Sequence, residues 1–161
     1  MAIKIYLAGP LGFSEVGRMF HYECLIPALE QLGLEPLDPW QLGDTEELRS
    51  ALALSDLNEQ RTQLAEINRS IGRTNVEAID RCDWILANLD GVDVDSGTAA
   101  EIGYGFATGK LIFGYRGDFR LSCDNLGGQV NLQVEYFIRA SGGLIASDLE
   151  SLLQALQSAG Q

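Results

Sequence analysis

Short apolar runs alternate along the chain with longer stretches of helical periodicity. Ile3-Lys4-Ile5-Tyr6-Leu7-Ala8 reads as a first strand, halted by Gly9-Pro10. Ser14 to Leu32 has the pattern of a helix interrupted at Pro27 and stopped by Gly33. Leu34-Glu35-Pro36-Leu37 is a short second strand, ragged because proline cannot donate to a ladder. From Thr45 to Asp80 the pattern is mainly helical, with a break expected near Ile71-Gly72. Trp84-Ile85-Leu86-Ala87-Asn88-Leu89 is the third strand. Asp95 or Ser96 can cap the helix that follows, and Gly109 ends it. Leu111-Ile112-Phe113-Gly114-Tyr115 is a fourth strand, and a polar loop covers Arg116 to Gln129. Leu144-Ile145-Ala146 is a fifth strand, with Ser147 capping a last helix from Asp148 to about Ser158.

Strands alternating with helices imply right-handed βαβ units. The expected fold is α/β and flavodoxin-like: a doubly wound, five-stranded, mostly parallel sheet with helices on both faces. In that order the first and third strands are neighbours, and ligands bind beyond their C-terminal ends at the topological switch point. Two segments converge there, Leu7 to Phe13 and Asp93 to Lys110. No repeat, low-complexity tract or linker divides the chain, so residues 1–161 are expected to form one domain.

Composition narrows the function classes. The hydrophobic fraction of 46% is that of a globular protein. The formal net charge of −12 repels phosphate backbones and argues against nucleic-acid partners. No apolar run is long enough to span a bilayer. Met1-Ala2-Ile3-Lys4 enters a strand pattern at once, without the head and cleavage site of a signal peptide, so a cytoplasmic location is expected. Cys24, Cys82 and Cys123 are far apart and lack metal or redox spacing. With His21 as the one histidine, neither cysteine catalysis nor a His-based metal site is favoured.

The densest chemistry lies in DVDSGTAAEIGYGFATGK, Asp93 to Lys110. Asp95 can cap the helix or turn outward to bind ligand hydroxyls. Glu101 lies in the second turn, where the helix terminus favours its ionised form unless the cleft desolvates it too strongly. Such a carboxylate can serve as base, metal ligand or nucleophile. Capping and dipole complementarity are the plainer roles for the same residues. The metal option is weakest, because no P-loop, EF-hand loop or HExxH is present. Gly103 and Gly105 each cost about 1 kcal/mol relative to alanine in a helix. They point to close approach of a backbone or a ligand.

Five pieces in order carry a family resemblance: IYLAGP (Ile5 to Pro10), EPLDPW (Glu35 to Trp40), NVEAIDRCDWILANLD (Asn75 to Asp90), DSGTAAEIGYGFATGK (Asp95 to Lys110) and VNLQ (Val130 to Gln133). Together the sequence resembles the nucleoside 2-deoxyribosyltransferase family. The resemblance implies an enzyme that moves 2-deoxyribose between purine or pyrimidine bases, with slow hydrolysis as a side reaction. It implies Glu101 as a nucleophile that forms a covalent deoxyribosyl intermediate with net retention, as in a retaining glycosidase. Asp95 matches the aspartate that holds the sugar 5′-hydroxyl, and Tyr6 the tyrosine that orients the nucleophile. Asn131 matches an asparagine that reaches a neighbouring subunit's site. Gln133 stands where that motif usually has Met. Asn75 takes the place of an aspartate that handles the leaving base. Asp38 is a candidate proton source, or simply the cap of the Asp38-Pro39 turn. Gly9 and Phe13 belong to the first loop, and Phe13 or Trp40 can stack on the base. The implied partners are deoxyribonucleosides, free nucleobases and further copies of the chain, in nucleotide salvage, with no cofactor and no metal.

Two rivals use the same residues. A 2′-deoxynucleoside 5′-monophosphate N-glycosidase would let water attack; Arg18 speaks for a phosphate, whereas Asp95 and Asn131 speak against one. A non-catalytic flavodoxin-like nucleoside-binding module would use the acidic cluster without turnover.

Overall fold

The computed structural model describes residues 2–43 and 45–161, so Met1 of the N-terminal reading lies outside the described residues. Its strands are β1 (Lys4–Ala8), β2 (Glu35–Leu37), β3 (Trp84–Asn88), β4 (Leu111–Tyr115) and β5 (Ile145–Ala146). They form one sheet in the order β2-β1-β3-β4-β5. Every pairing is parallel. This is the doubly wound order, with the switch point between β1 and β3. Pro36 is accommodated because β2 is an edge strand.

The helices are α1 (Glu15–Met19), α2 (Ile26–Gln31), α3 (Pro39–Leu42), α4 (Thr45–Leu52), α5 (Leu57–Arg81), α6 (Ser96–Ala107), α7 (Leu132–Ala140) and α8 (Leu149–Ala159). A 3₁₀ turn, Leu11–Phe13, lies between β1 and α1, and a π-helical stretch, Phe20–Leu25, joins α1 to α2. The interruption expected at Pro27 therefore takes the form of a widened helix rather than a break. Gly33 and Gly109 follow α2 and α6 with φ of +77°, the left-handed conformation that ends helices and favours glycine.

Alternation along the strands sorts the core into two layers. Ile5 and Leu7 of β1 pack with Leu25, Leu29, Leu152 and Leu156 of the helices on one face. Tyr6 and Ala8 point the other way, with Ala78 and Ile79 of α5, Ile102 of α6 and Ile138 of α7. The period of two thus puts Tyr6 on the face that α6 covers.

Two expectations are corrected. α5 runs unbroken through Gly72, because Ile67 before it and Ala78 and Ile79 after it are all buried. The real break lies between α4 and α5, where Asp56 accepts from the amides of Asn58 and Glu59. The last helix is capped by Asp148 rather than Ser147. The sequence reading also passed over α7, although Val134 and Ile138 are buried one turn apart.

Candidate active site

β1 and α6 bring the central pair together. The Tyr6 hydroxyl donates to Glu101 Oε1 at 2.6 Å across 95 residues of chain. Tyr6 is fully buried in the middle of the sheet, so its hydroxyl is a fixed donor. Burial, followed by the adjacent Glu101 charge and the hydrogen bond, pushes the Tyr6 phenol far above its ordinary value. The phenol therefore keeps its proton. Burial raises Glu101 above the usual carboxylate range; the Tyr6 hydrogen bond opposes this, and the Asp95 charge adds to it.

Asp95 caps α6. Its Oδ2 accepts from the Thr98 amide at 3.0 Å and from the Thr98 hydroxyl at 3.2 Å. Thr98 is itself buried, so this oxygen is locked in place. A Cβ on Gly97 would stand 3.1 Å from Oδ2, which accounts for a glycine beside the cap. Gly105 has a different cause. A Cβ there would lie 2.1 Å from Ile85 Cδ1, so this glycine lets α6 sit down on β3 and does not face a ligand. Gly103 lies against Phe137 of α7 at an ordinary distance of 3.7 Å.

Glu101 and Asp95 open on a cleft of about 480 Å³, the size range of small-molecule sites. Gly9, Phe13, Trp40 and Asn75, all singled out in the sequence, also line it. The Phe13 and Trp40 rings meet edge to face with centroids 4.6 Å apart. The indole lies so close over the first loop that a Cβ on Gly12 would be 2.2 Å from it. The cleft has a wall that the sequence reading missed. Leu48 of α4 and Asn68 and Ile71 of α5 complete it beside Asn75. Their signal is the spacing 68/71/75 on one helical face, legible once α5 is taken as continuous.

Four residues singled out in the sequence sit elsewhere. Asp38 caps α3, accepting from the Trp40 amide at 3.1 Å, and its Oδ1 is 3.1 Å from Nε2 of buried His21. It supports the Trp40 wall from behind and does not line the cleft. Asn131 caps α7, its Oδ1 accepting from the amides of Gln133 and Val134. Neither Asn131 nor Gln133 reaches this cleft. Arg18 donates to the Gly12 carbonyl at 3.0 Å and also lies outside the lining. The described lining therefore holds two carboxylates and no cation. Among the described residues no group of three or more His, Cys, Asp or Glu side chains could hold a metal ion. No helix among them is long and apolar enough to cross a membrane.

The fold and the site define a class: doubly wound α/β proteins with a half-buried, tyrosine-braced carboxylate at the switch point. The sequence profile of the nucleoside 2-deoxyribosyltransferase family matches residues 5–137, and the chain belongs to that family. The chain matches no curated protein sequence. Among solved structures, a conserved protein from Enterococcus faecalis V583 is 24% identical with a TM-score of 0.71, covering 99% of each chain. A 2-desoxiribosyltransferase from Leishmania mexicana is 22% identical with a TM-score of 0.63, covering 97% of each chain. The CMP N-glycosidase of Clostridium botulinum is 21% identical with a TM-score of 0.54, covering 95% of this chain and 97% of its own. These likenesses establish the flavodoxin-like fold. Family membership supports deoxyribosyltransferase-type chemistry on nucleosides and nucleobases.

Proposed function

We propose that the protein exchanges nucleobases on 2-deoxyribonucleosides through a deoxyribosyl ester on Glu101. The observation that carries this reading is the 2.6 Å contact from the Tyr6 hydroxyl to Glu101 Oε1 at the wall of the cleft. With Oε1 held, Oε2 is the attacking atom. It bonds to the anomeric carbon as the bond to the first base breaks, and the electron pair leaves on the base nitrogen. That base takes a proton from solvent, since the described polar side chains that α5 presents to the cleft, Asn68 and Asn75, are amides. The second base attacks through its own nitrogen and the ester C–O bond breaks. The Glu101 carboxylate is restored and the incoming base loses its proton to solvent. Two inversions give retention. Water in place of the second base gives slow hydrolysis. No step calls for a cofactor.

Asp95 Oδ1 accepts from the sugar 5′-hydroxyl. A carboxylate there repels a 5′-phosphate, and no cation lines the described cleft to offset it. Both points favour unphosphorylated donors over nucleotides. Phe13 and Trp40 cover the faces of the base, and Asp38 positions Trp40. Asn131 and Gln133 serve the cleft of a neighbouring copy, in keeping with exposed Leu132 and Tyr136 beside them. An active preparation should therefore sediment as an oligomer, and full activity as a monomer would contradict this assignment. The reaction is tested by incubating thymidine and adenine with the protein and separating the products. Deoxyadenosine is the expected product; thymine alone would mean a hydrolase, and unchanged substrates a binding module.

A further inference from the structure

Behind the aromatic wall of the cleft lies a buried histidine to which the proposed reaction gives no task. His21 is 2% exposed and sits in the π-helical stretch Phe20–Leu25. π geometry is rare and recurs at functional sites. The ring stands edge to face against Tyr22, with centroids 4.8 Å apart. Its Nε2 is 3.1 Å from Oδ1 of Asp38, which is buried as well. A ring nitrogen this close to a carboxylate oxygen carries its proton, since two lone pairs would repel. Burying an imidazole and a carboxylate costs desolvation that apolar residues of the same size avoid, so stability alone does not account for the pair.

The same Oδ1 accepts from the Trp40 amide at 3.1 Å. Asp38 thereby holds the first turn of α3, which carries the indole. α3 has only four residues, too few to hold its direction unaided. The loop against the indole is held from the same side. Arg18, three residues before His21, donates to the Gly12 carbonyl at 3.0 Å. Trp40 lies directly against Gly12 and meets Phe13 edge to face. One helical segment thus grips both halves of the wall: the loop through Arg18, and the indole through His21 and Asp38. We infer that His21 is a positioning residue for base recognition: by holding Asp38 it fixes the start of α3, and with it the pose of the Trp40 indole against a bound base. This rests on the reading of Trp40 as a surface that stacks on the base of a nucleoside.

The test combines Trp40 fluorescence with the base-exchange assay. Trp84, the other of the two tryptophans, is buried in β3 outside the cleft. A Trp84→Phe parent is used throughout, so that emission reports Trp40. His21→Phe keeps an aromatic ring and removes the donor. His21→Gln keeps an amide nitrogen at the reach of Nε2, and His21→Asn falls one methylene short of it. In the phenylalanine and asparagine variants acrylamide should quench Trp40 more readily. The KM for thymidine should rise roughly threefold with kcat kept, a fraction of the stacking worth of an indole. His21→Gln should return both readings to those of the parent. Where His21→Phe does not fold, the contrast between glutamine and asparagine decides. Unchanged quenching in the loss variants, a glutamine variant that behaves like asparagine, or a fall in kcat at constant KM would overturn the inference. A parent that exchanges no base would instead contradict the proposed reaction, with the quenching comparison still deciding whether His21 holds Trp40.

Discussion

The carboxylate end of the cleft and its aromatic end differ in what supports them. Tyr6 sits at 0% exposure in a central strand, and Asp95 is locked by a buried threonine. α6, which carries Glu101, is pressed onto β3 through Gly105. The aromatic end is thin. Phe13 is 75% exposed on a 3₁₀ turn, Trp40 rides a four-residue helix, and Asn68 is exposed on α5. Under the proposed reaction, the groups that must be placed to a fraction of an ångström are the ones built into the core, and the groups that would accept varied bases are mounted at the periphery.

The contrast can be broken from the carboxylate end first. Glu101→Ala should reduce transfer by on the order of 10⁴-fold or more with circular dichroism unchanged, as when a nucleophile is removed. Near-normal turnover in that variant would contradict the assignment. Tyr6→Phe should lower kcat by on the order of 10²-fold. It should also move the acid limb of the pH–rate profile to higher pH. In the proposed reaction Glu101 acts ionised; burial and Asp95 raise its ionisation above the usual range, and the Tyr6 hydrogen bond is the influence that lowers it. An acid limb that stays in place would show that the hydroxyl does not tune Glu101.

Changes at the aromatic end should be milder and should fall on binding. Trp40→Ala should weaken nucleoside affinity about tenfold, the effect of losing one base-stacking surface, with kcat nearly kept. A large fall in kcat at saturation would show that the indole also aligns the sugar. The smallest effect is on stability. Glu101 binds its proton more tightly in the folded than in the unfolded protein. The associated stability is present below the ordinary glutamate pKa and is lost as pH rises through the folded value. Glu101→Gln should therefore melt higher than the wild type at neutral pH and level with it in acid. Equal melting at both would mean that the site does not strain its carboxylate.

The carboxylate end was legible in the sequence and the aromatic end only in part, for physical reasons. Strands β1, β3 and β4 announce themselves as apolar runs, and their order places the Asp95–Glu101 helix at the switch point. The Tyr6–Glu101 pairing was implied by the family resemblance, and strand alternation turns Tyr6 toward the face that α6 covers. The α5 wall was hidden because Gly72 reads locally as a breaker, while buried residues on either side keep the helix whole. The His21–Asp38 contact joins two elements whose approach no local pattern encodes. α7 was obscured by the polar loop before it, although its apolar face has ordinary helical spacing.

The most direct measurement is the intact mass of the protein, quenched in acid after incubation with thymidine and no acceptor base. The account predicts a mass gain of one deoxyribosyl unit, mapped by proteolysis to the peptide containing Glu101 and absent in Glu101→Ala. Turnover without any adduct, or an adduct on another residue, would contradict it.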